Sequence, residues 1–246
     1  MPADVLLHPA AVPVPAAGGP TLNALTIDVE DYFHVSGFEA CVARSQWDDY
    51  PLRVADNSHR LLDILDAAGV RGTFFVLGWV AERRPDVVKD IRAAGHEVAS
   101  HGQWHRLIYR QTPEEFRADV RQSRDVLQDI LGQAVTAYRA PSFSITRASL
   151  WALDVLAEEG FLLDSSVYPA RHDRYGIPGA PPEPHRIERR AGTLWEFPPP
   201  VYRFLGRPTP VGGGGWFRLY PYALTRRWLA AINRAGRPFA AYLHPW

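Results

Sequence analysis

Cysteine is almost missing from this chain of 246 residues. Cys41 stands alone, so no disulfide can close within the chain and a thiolate-rich zinc site is excluded. Net charge is missing too: 27 Lys and Arg balance 27 Asp and Glu. That balance argues against nucleic acid or an anionic membrane as the main partner. No apolar run approaches the roughly 18 residues of a transmembrane span. The N-terminal MPADVLLHPAAVPVPAAGG carries no Lys or Arg ahead of its apolar residues and is broken by prolines. It reads neither as a secretory signal nor as a helix, and a cytoplasmic location is the expectation these absences leave. What is abundant is core material, with 46% hydrophobic residues and 12% aromatics, eight of them Trp. Such aromatics serve either a core or a cleft in which flat rings stack on sugars. The length suits one large α/β domain.

Residues 1–20 are rich in Pro, Ala and Gly and read as a disordered or extended lead; residues 21–246 read as a single domain. Within it, apolar runs alternate with helical patterns. ALTID (24–28), GTFFVLG (72–78), HEVASH (96–101), VTAYRAPSF (135–143), FLLDSS (161–166), TLWEFPPP (193–200) and PFAAYLHPW (238–246) read as strands or strand exits. Helices are predicted from about Asp56, with Leu61, Ile64, Leu65 and Ala68 on one face, and from Pro85 to a stop at Gly95. Another is predicted over 112–132, with a Thr cap, Pro at its first position and Gly132 at its end, and further helices over 146–159 and 220–236. GGGG (212–215) reads as a flexible turn, and Tyr168 to about Pro200 as an excursion over the surface. This β–α alternation points to a parallel sheet with helices packed outside it.

The polar residues fall in a telling place. In a parallel α/β barrel, reactive groups sit just past the C-terminal ends of strands. Here the predicted strands end at Asp28, Glu30 and Asp31, at His101 and His105, at Arg139, at Asp164 and at His244. DVED (28–31) is flanked by apolar and aromatic residues, and clustered carboxylates in such a setting repel one another and call for a cation. ASHGQWH (99–105) spaces two imidazoles four residues apart. Joined to an acid, the pair makes a two-His, one-carboxylate set with vacant positions; Zn²⁺ is the first candidate, with Co²⁺, Ni²⁺ and Mn²⁺ left open. Arg139 precedes Ala140-Pro141, a stiff strand exit suited to clamping a carboxylate. His59, His96, His172 and His185 have no comparable setting and read as structural or exposed.

TIDVED, SHGQWH, RAPSF, LLDSS and YLHPW, in this order, resemble the polysaccharide deacetylase family, carbohydrate esterases with a NodB homology domain. TIDVEDYFHV, GTFFVLGWVAER, RAPSFSIT, RHDRYGIP and PVGGGGWFRL look like the subgroup found in bacterial exopolysaccharide and exosortase gene clusters. The resemblance implies a distorted (β/α) barrel with fewer than eight complete units. It also implies metal-dependent hydrolysis of N-acetyl groups on an acetamido-sugar polymer or its lipid-linked precursor. One departure stands out: the family pattern has two adjacent Asp residues, and Val29 occupies the second position. Residues i and i+2 of a strand share a face, so Asp28 is assigned as base and Glu30 as metal ligand, with Asp31 the alternative if the chain turns after Val29. His101 and His105 complete the ligand set. Arg139 would orient Asp28, His244 would protonate the leaving amine, and Asp164 would pair with His244. A backbone N–H near Phe143 would cradle the oxyanion, and Phe143, Trp104, Tyr168 and Trp216 would contact the sugar. Two rivals follow from the same residues: a metal-independent amidase on a small amide or ureide, and a barrel that binds polysaccharide without cleaving it.

Overall fold

The computed structural model describes residues 21–246. The expectation of a loose lead over residues 1–20 lies outside the described residues. Ten strands and seven α-helices follow in chain order: β1 (Ala24–Val29), α1 (Val54–Ala67), β2 (Thr73–Val76), α2 (Gly78–Arg83), α3 (Pro85–Ala93), β3 (Glu97–Ser100), α4 (Pro113–Leu131), β4 (Ala137–Tyr138), α5 (Trp151–Glu158), β5 (Leu163–Asp164), β6 (His185–Arg189), β7 (Gly192–Glu196), β8 (Val201–Phe204), β9 (Arg207–Pro210), α6 (Gly214–Leu219), α7 (Tyr222–Arg234) and β10 (Ala240–Leu243). Eight strands form one curled sheet in the order β10-β1-β2-β3-β4-β5-β7-β6, while β8 and β9 pair separately. Every neighbouring pair in the large sheet is parallel except β6 with β7. β10 and β6 are its two edges, so this is a distorted, open (β/α) barrel.

The local chemistry explains the helix ends. At the start of α4 the Thr112 hydroxyl accepts from the Glu115 amide, and the Glu115 carboxylate accepts from the Thr112 amide. This reciprocal cap satisfies two amides the helix cannot pair itself. Pro113 follows at the first helical position, and Gly132 ends the helix at φ +64°, where a side chain would be strained. In α1 the buried stripe is Ala55, Ser58, Leu62 and Leu65, whereas Ile64 is 61% exposed. The helix begins at Val54; of the stripe expected through Leu61, Ile64, Leu65 and Ala68, Leu65 is buried, and the buried face lies about one residue round from the other three.

Strand alternation divides the sheet into two faces. Ile27 and Val29, with Phe74, Val76 and Val98, pack against α1, α2 and α3 in the main outer core. Phe75, Ala99 and Ala137 point the other way and, with Leu163, form a small inner cluster. The residues expected as a surface excursion contain β6, which pairs antiparallel with β7. The glycine run expected as a flexible turn is partly built in: Gly213 bridges to Tyr242, and α6 starts at Gly214. A Cβ on Gly213 would lie 2.0 Å from the Tyr242 carbonyl oxygen, so this close approach requires glycine. No helix among the described residues is long and apolar enough to cross a membrane.

Candidate active site

The parallel order puts the C-terminal ends of β1, β3, β4 and β10 on one side of the sheet. β1 delivers Asp28 and, just beyond the strand, Glu30; β3 is followed by His101 and β4 by Arg139; β10 is followed by His244. Asp28, Glu30, His101 and His105 are all buried, as is Arg139 at 0% exposure. Asp28, Glu30, His101, His105 and His244 line one cavity of about 340 Å³, together with Phe143, Tyr175, Tyr242 and Trp246.

One potential ligand atom from each of Glu30, His101 and His105 lies within 4.8 Å of the others. Glu30 Oε2 is 2.6 Å from His105 Nε2 and 3.9 Å from His101 Nε2. The tautomer of His101 is fixed from behind. Its Nδ1 lies 2.9 Å from the Arg139 carbonyl oxygen, which can only accept, so Nδ1 carries the proton and Nε2 presents a lone pair to the site. Burial opposes ionisation of Glu30, but His105, His244 and His101 outweigh it and hold its carboxyl well below the usual carboxylate range. Burial pulls His101 down to about 4, against the opposing pull of Asp28 and Glu30. His105 goes up despite burial, because Glu30 faces it directly. A carboxylate, a neutral imidazole and a second imidazole charge-compensated by that carboxylate fit an N/O site for a divalent ion. His105 holds a left-handed backbone at φ +48°, a conformation disfavoured for a side-chain-bearing residue and often found at functional sites.

Asp31 does not join this group. Its Oδ1 accepts from the Tyr32 amide and its Oδ2 from the amides of Arg53 and Val54. The chain turns into a short 3₁₀ segment right after Glu30, so Asp31 caps that turn and braces the start of α1. Its own amide donates to Nδ1 of His34, a buried ring that burial pulls down to about 3 and keeps neutral.

Arg139 reaches across the barrel interior. Its NH1 donates to Asp28 Oδ1 at 2.7 Å and to Thr26 Oγ1 at 2.8 Å, NH2 donates to Ser165 Oγ, and Nε donates to the Ser165 carbonyl. The guanidinium also sits over the Phe75 ring at 4.1 Å. On the other side of Asp28, His244 Nε2 lies 3.7 Å from both Asp28 Oδ2 and Glu30 Oε1. Trp246 flanks this imidazole with ring centroids 5.0 Å apart.

Asp164 is not the partner of His244. Four strands separate β5 from β10 in the sheet. Asp164 instead accepts from the Ser166 hydroxyl and faces Glu196, the last residue of β7. Burial raises both carboxyls, Asp164 to about 6 and Glu196 well above the usual range, so the pair keeps a proton between them. Glu196 is a fifth strand-end acid that sequence reading missed, although TLWEF was read as a strand. Asp119 was missed as well. It is buried on α4 and accepts from the amides of Gln103 and Trp104, holding the loop between His101 and His105. Its signal was a carboxylate on the apolar stripe of a helix.

Among the expected sugar contacts, Phe143 lines the cavity. Its own amide donates to the Ala140 carbonyl at 3.0 Å and so does not cradle an oxyanion. Ser142 and Phe143 are both left-handed, at φ +53° and +51°. Tyr168 is fully buried against Phe143 and Tyr175, and Trp104 packs towards Trp47 outside the cavity. Trp216 stands behind the wall, donating from Nε1 to the Tyr175 hydroxyl at 3.3 Å. His172, expected to have no role, lines the cavity and stacks on Tyr175 at 3.9 Å and 6°.

A family model described as polysaccharide deacetylase matches residues 40–158, which hold His101, His105 and Arg139, and a domain of unknown function (DUF3473) matches residues 165–246, which hold His244. The chain carries a region of the polysaccharide deacetylase family, residues 40–158. It is similar to a Bacillus subtilis protein assigned as a polysaccharide deacetylase, with 33% identity over 136 residues, 52% of this chain and 47% of that one. A Bacillus cereus peptidoglycan-N-acetylglucosamine deacetylase is 30% identical over 105 residues, 42% of this chain and 37% of its own. The chain thus spans less than half the length of these relatives. A crystal structure from Mycobacterium smegmatis, assigned as a polysaccharide deacetylase, superposes with TM-score 0.71 at 26% identity, over 97% of this chain and 82% of that one. A CE4 family pseudoenzyme from Bacillus anthracis shares the fold at TM-score 0.50 and 15% identity, over 92% of this chain and 55% of its own.

Proposed function

We propose that this chain is a metal-dependent deacetylase that hydrolyses N-acetyl groups on an acetamido-sugar polymer or its precursor. The observation that carries the reading is the pairing of Asp28 and His244 at the rim of the Glu30, His101 and His105 cluster, inside one cavity. Glu30, His101 and His105 would hold a divalent ion, zinc being the first candidate. When bound, that ion polarises the acetyl carbonyl and eases ionisation of water.

The chain's own residues supply the proton traffic. Arg139 occupies Asp28 Oδ1, which leaves Oδ2 as the oxygen that takes a proton from the attacking water. His244 Nε2, on the Oδ2 side, is the group in reach to protonate the departing amine, which is a poor leaving group unless it gains that proton. Phe143, Tyr175, Tyr242 and Trp246 give the cavity apolar faces on which a pyranose ring can rest. The names of relatives support the class of reaction: peptidoglycan-N-acetylglucosamine deacetylase and chitooligosaccharide deacetylase.

The test is acetate release from N-acetylglucosamine oligomers by protein loaded with Zn²⁺, Co²⁺, Ni²⁺ or Mn²⁺. Wild type should release acetate. Asp28→Asn should be slower by about 10²–10⁴-fold with unchanged metal stoichiometry. Full activity in Asp28→Asn, or no release by wild type with any of the four ions, would refute the assignment.

A further inference from the structure

We propose that an arginine-lined pocket next to the catalytic cavity receives an anionic group of the substrate, so that the preferred substrate carries a carboxylate or phosphate beside the N-acetyl sugar being cleaved. The proposal rests on the deacetylase reading and names the substrate class it implies. The pocket has a volume of about 520 Å³, and its walls include Ser36, Gly37, Glu39, Arg44, Arg110 and Arg174. Ser36 and Arg174 also line the catalytic cavity, so the two spaces meet at these side chains. Ser36 Oγ is hydrogen-bonded at 2.9 Å to Ser142 Oγ, and Ser142 lines the catalytic cavity too.

Three arginines and one carboxylate line this pocket. Glu39 Oε1 accepts from Arg44 at 2.6 Å and Glu39 Oε2 accepts from Arg110 at 2.8 Å. One acid therefore fixes two arginines in place and leaves an excess of two positive charges. Arg44 is further anchored by a 2.9 Å bond from Nε to the Trp104 carbonyl. Arg174 has no carboxylate within salt-bridge distance among the described residues; the adjacent Asp173 sits 2.6 Å from His172 Nδ1 instead. The Arg174 guanidinium lies beside Gly37, whose added Cβ would stand 3.4 Å from NH1.

The chain as a whole has zero net charge, and the local excess is therefore a matter of placement. Guanidinium forks match the two oxygens of a carboxylate or phosphate in a way a neutral hydroxyl cannot exploit. A neutral polymer gains little from the exposed Arg174 guanidinium beyond what water already supplies, whereas an anionic one can pair with it.

The test compares three probes of known chemistry. These are a chitooligosaccharide, a hyaluronan oligosaccharide of equal length with alternating glucuronate, and N-acetylglucosamine diphosphate on a short isoprenoid. Binding is followed by calorimetry and turnover by acetate release, with wild type, Arg110→Ala, Arg174→Ala and Arg174→Lys. Wild type should bind one anionic probe at least about tenfold more tightly than the neutral one. Arg174→Ala should erase about tenfold of that preference through KM, and Arg174→Lys should restore part of it. Preference for hyaluronan alone assigns the pocket to a carboxylate, and preference for the diphosphate alone to a phosphate. Equal or absent binding of all three by wild type, or an equal loss for neutral and anionic probes in Arg174→Ala, would overturn the proposal. Anionic preference in binding with no acetate released from any probe would instead sink the deacetylase reading and leave the pocket standing.

Discussion

Replacing Arg139 with Met should reveal how much of this site is also the fold. Arg139 is fully buried and its cation is 2.7 Å from a buried carboxylate. Removing one partner of such a pair leaves an uncompensated charge, at a cost of about 3–5 kcal/mol. That is a large share of the roughly 5–15 kcal/mol that holds a typical domain together. With a urea slope of about 2–3 kcal/mol/M, the unfolding midpoint should fall by about 1–2.5 M. The deciding comparison is Arg139→Met with Asp28→Asn in one chain. The bonds from Arg139 to Thr26 and Ser165 are lost in both variants and cancel, so the double variant should recover about 1–3 kcal/mol relative to Arg139→Met. Arg139→Lys should keep the charge balanced but cannot span Thr26, Asp28 and both Ser165 acceptors at once, and should stay less stable than wild type. A loss under about 1 kcal/mol in Arg139→Met, or no recovery on adding Asp28→Asn, would refute the claim that this pair is a coupled buried unit.

Zn²⁺ should raise the unfolding temperature of wild type, because it binds the folded site and not the unfolded chain; Glu30→Gln should lose most of that shift in a thermal scan with and without metal. Asp31→Ala should cost about 2–4 kcal/mol through three abandoned backbone amides, with zinc affinity unchanged; a parallel loss of zinc affinity would count against its role as a cap. Asp164 and Glu196 set a pH dependence of stability. Their folded values lie above the unfolded ones, so the folded state holds more protons, and the stability this pair contributes is complete below about pH 4 and falls as pH rises through about 6 and beyond. Glu196→Gln should flatten that slope in denaturation curves taken from pH 4 to 8; an unchanged slope would show the pair does not share a proton.

The fold class was legible because its signals are local. Strand ends and helix caps are written in short windows: Thr112-Pro113 with Glu115, Gly132, and the apolar runs that end at Asp28, His101, Arg139 and His244. The candidate metal cluster was legible as a two-His, one-carboxylate set, since two imidazoles after one strand and acids after another can meet at the same end of a parallel sheet, while the choice of Glu30 came with the family resemblance. What could not be read was which neighbour each polar group would choose. Glu30 and Asp31 are adjacent in sequence, and only the turn after Glu30 sends one carboxylate to the histidines and the other to the amides of Tyr32, Arg53 and Val54.

The same division holds for Asp164. Its place at a strand end came from the sequence, but its partner depends on strand order, and β7 brings Glu196 alongside while β10 lies across the barrel. Sequence by itself determined the alternation of strands and helices and the set of reactive residues at strand exits, because burial and capping act over a few residues. Tertiary structure alone decided that Asp31 and Asp164 serve neighbours other than those expected of them, and that Arg44, Arg110 and Arg174 gather beside the cleft. Charges far apart in the chain pair only where the folded sheet brings them within a few ångströms in a low-dielectric interior.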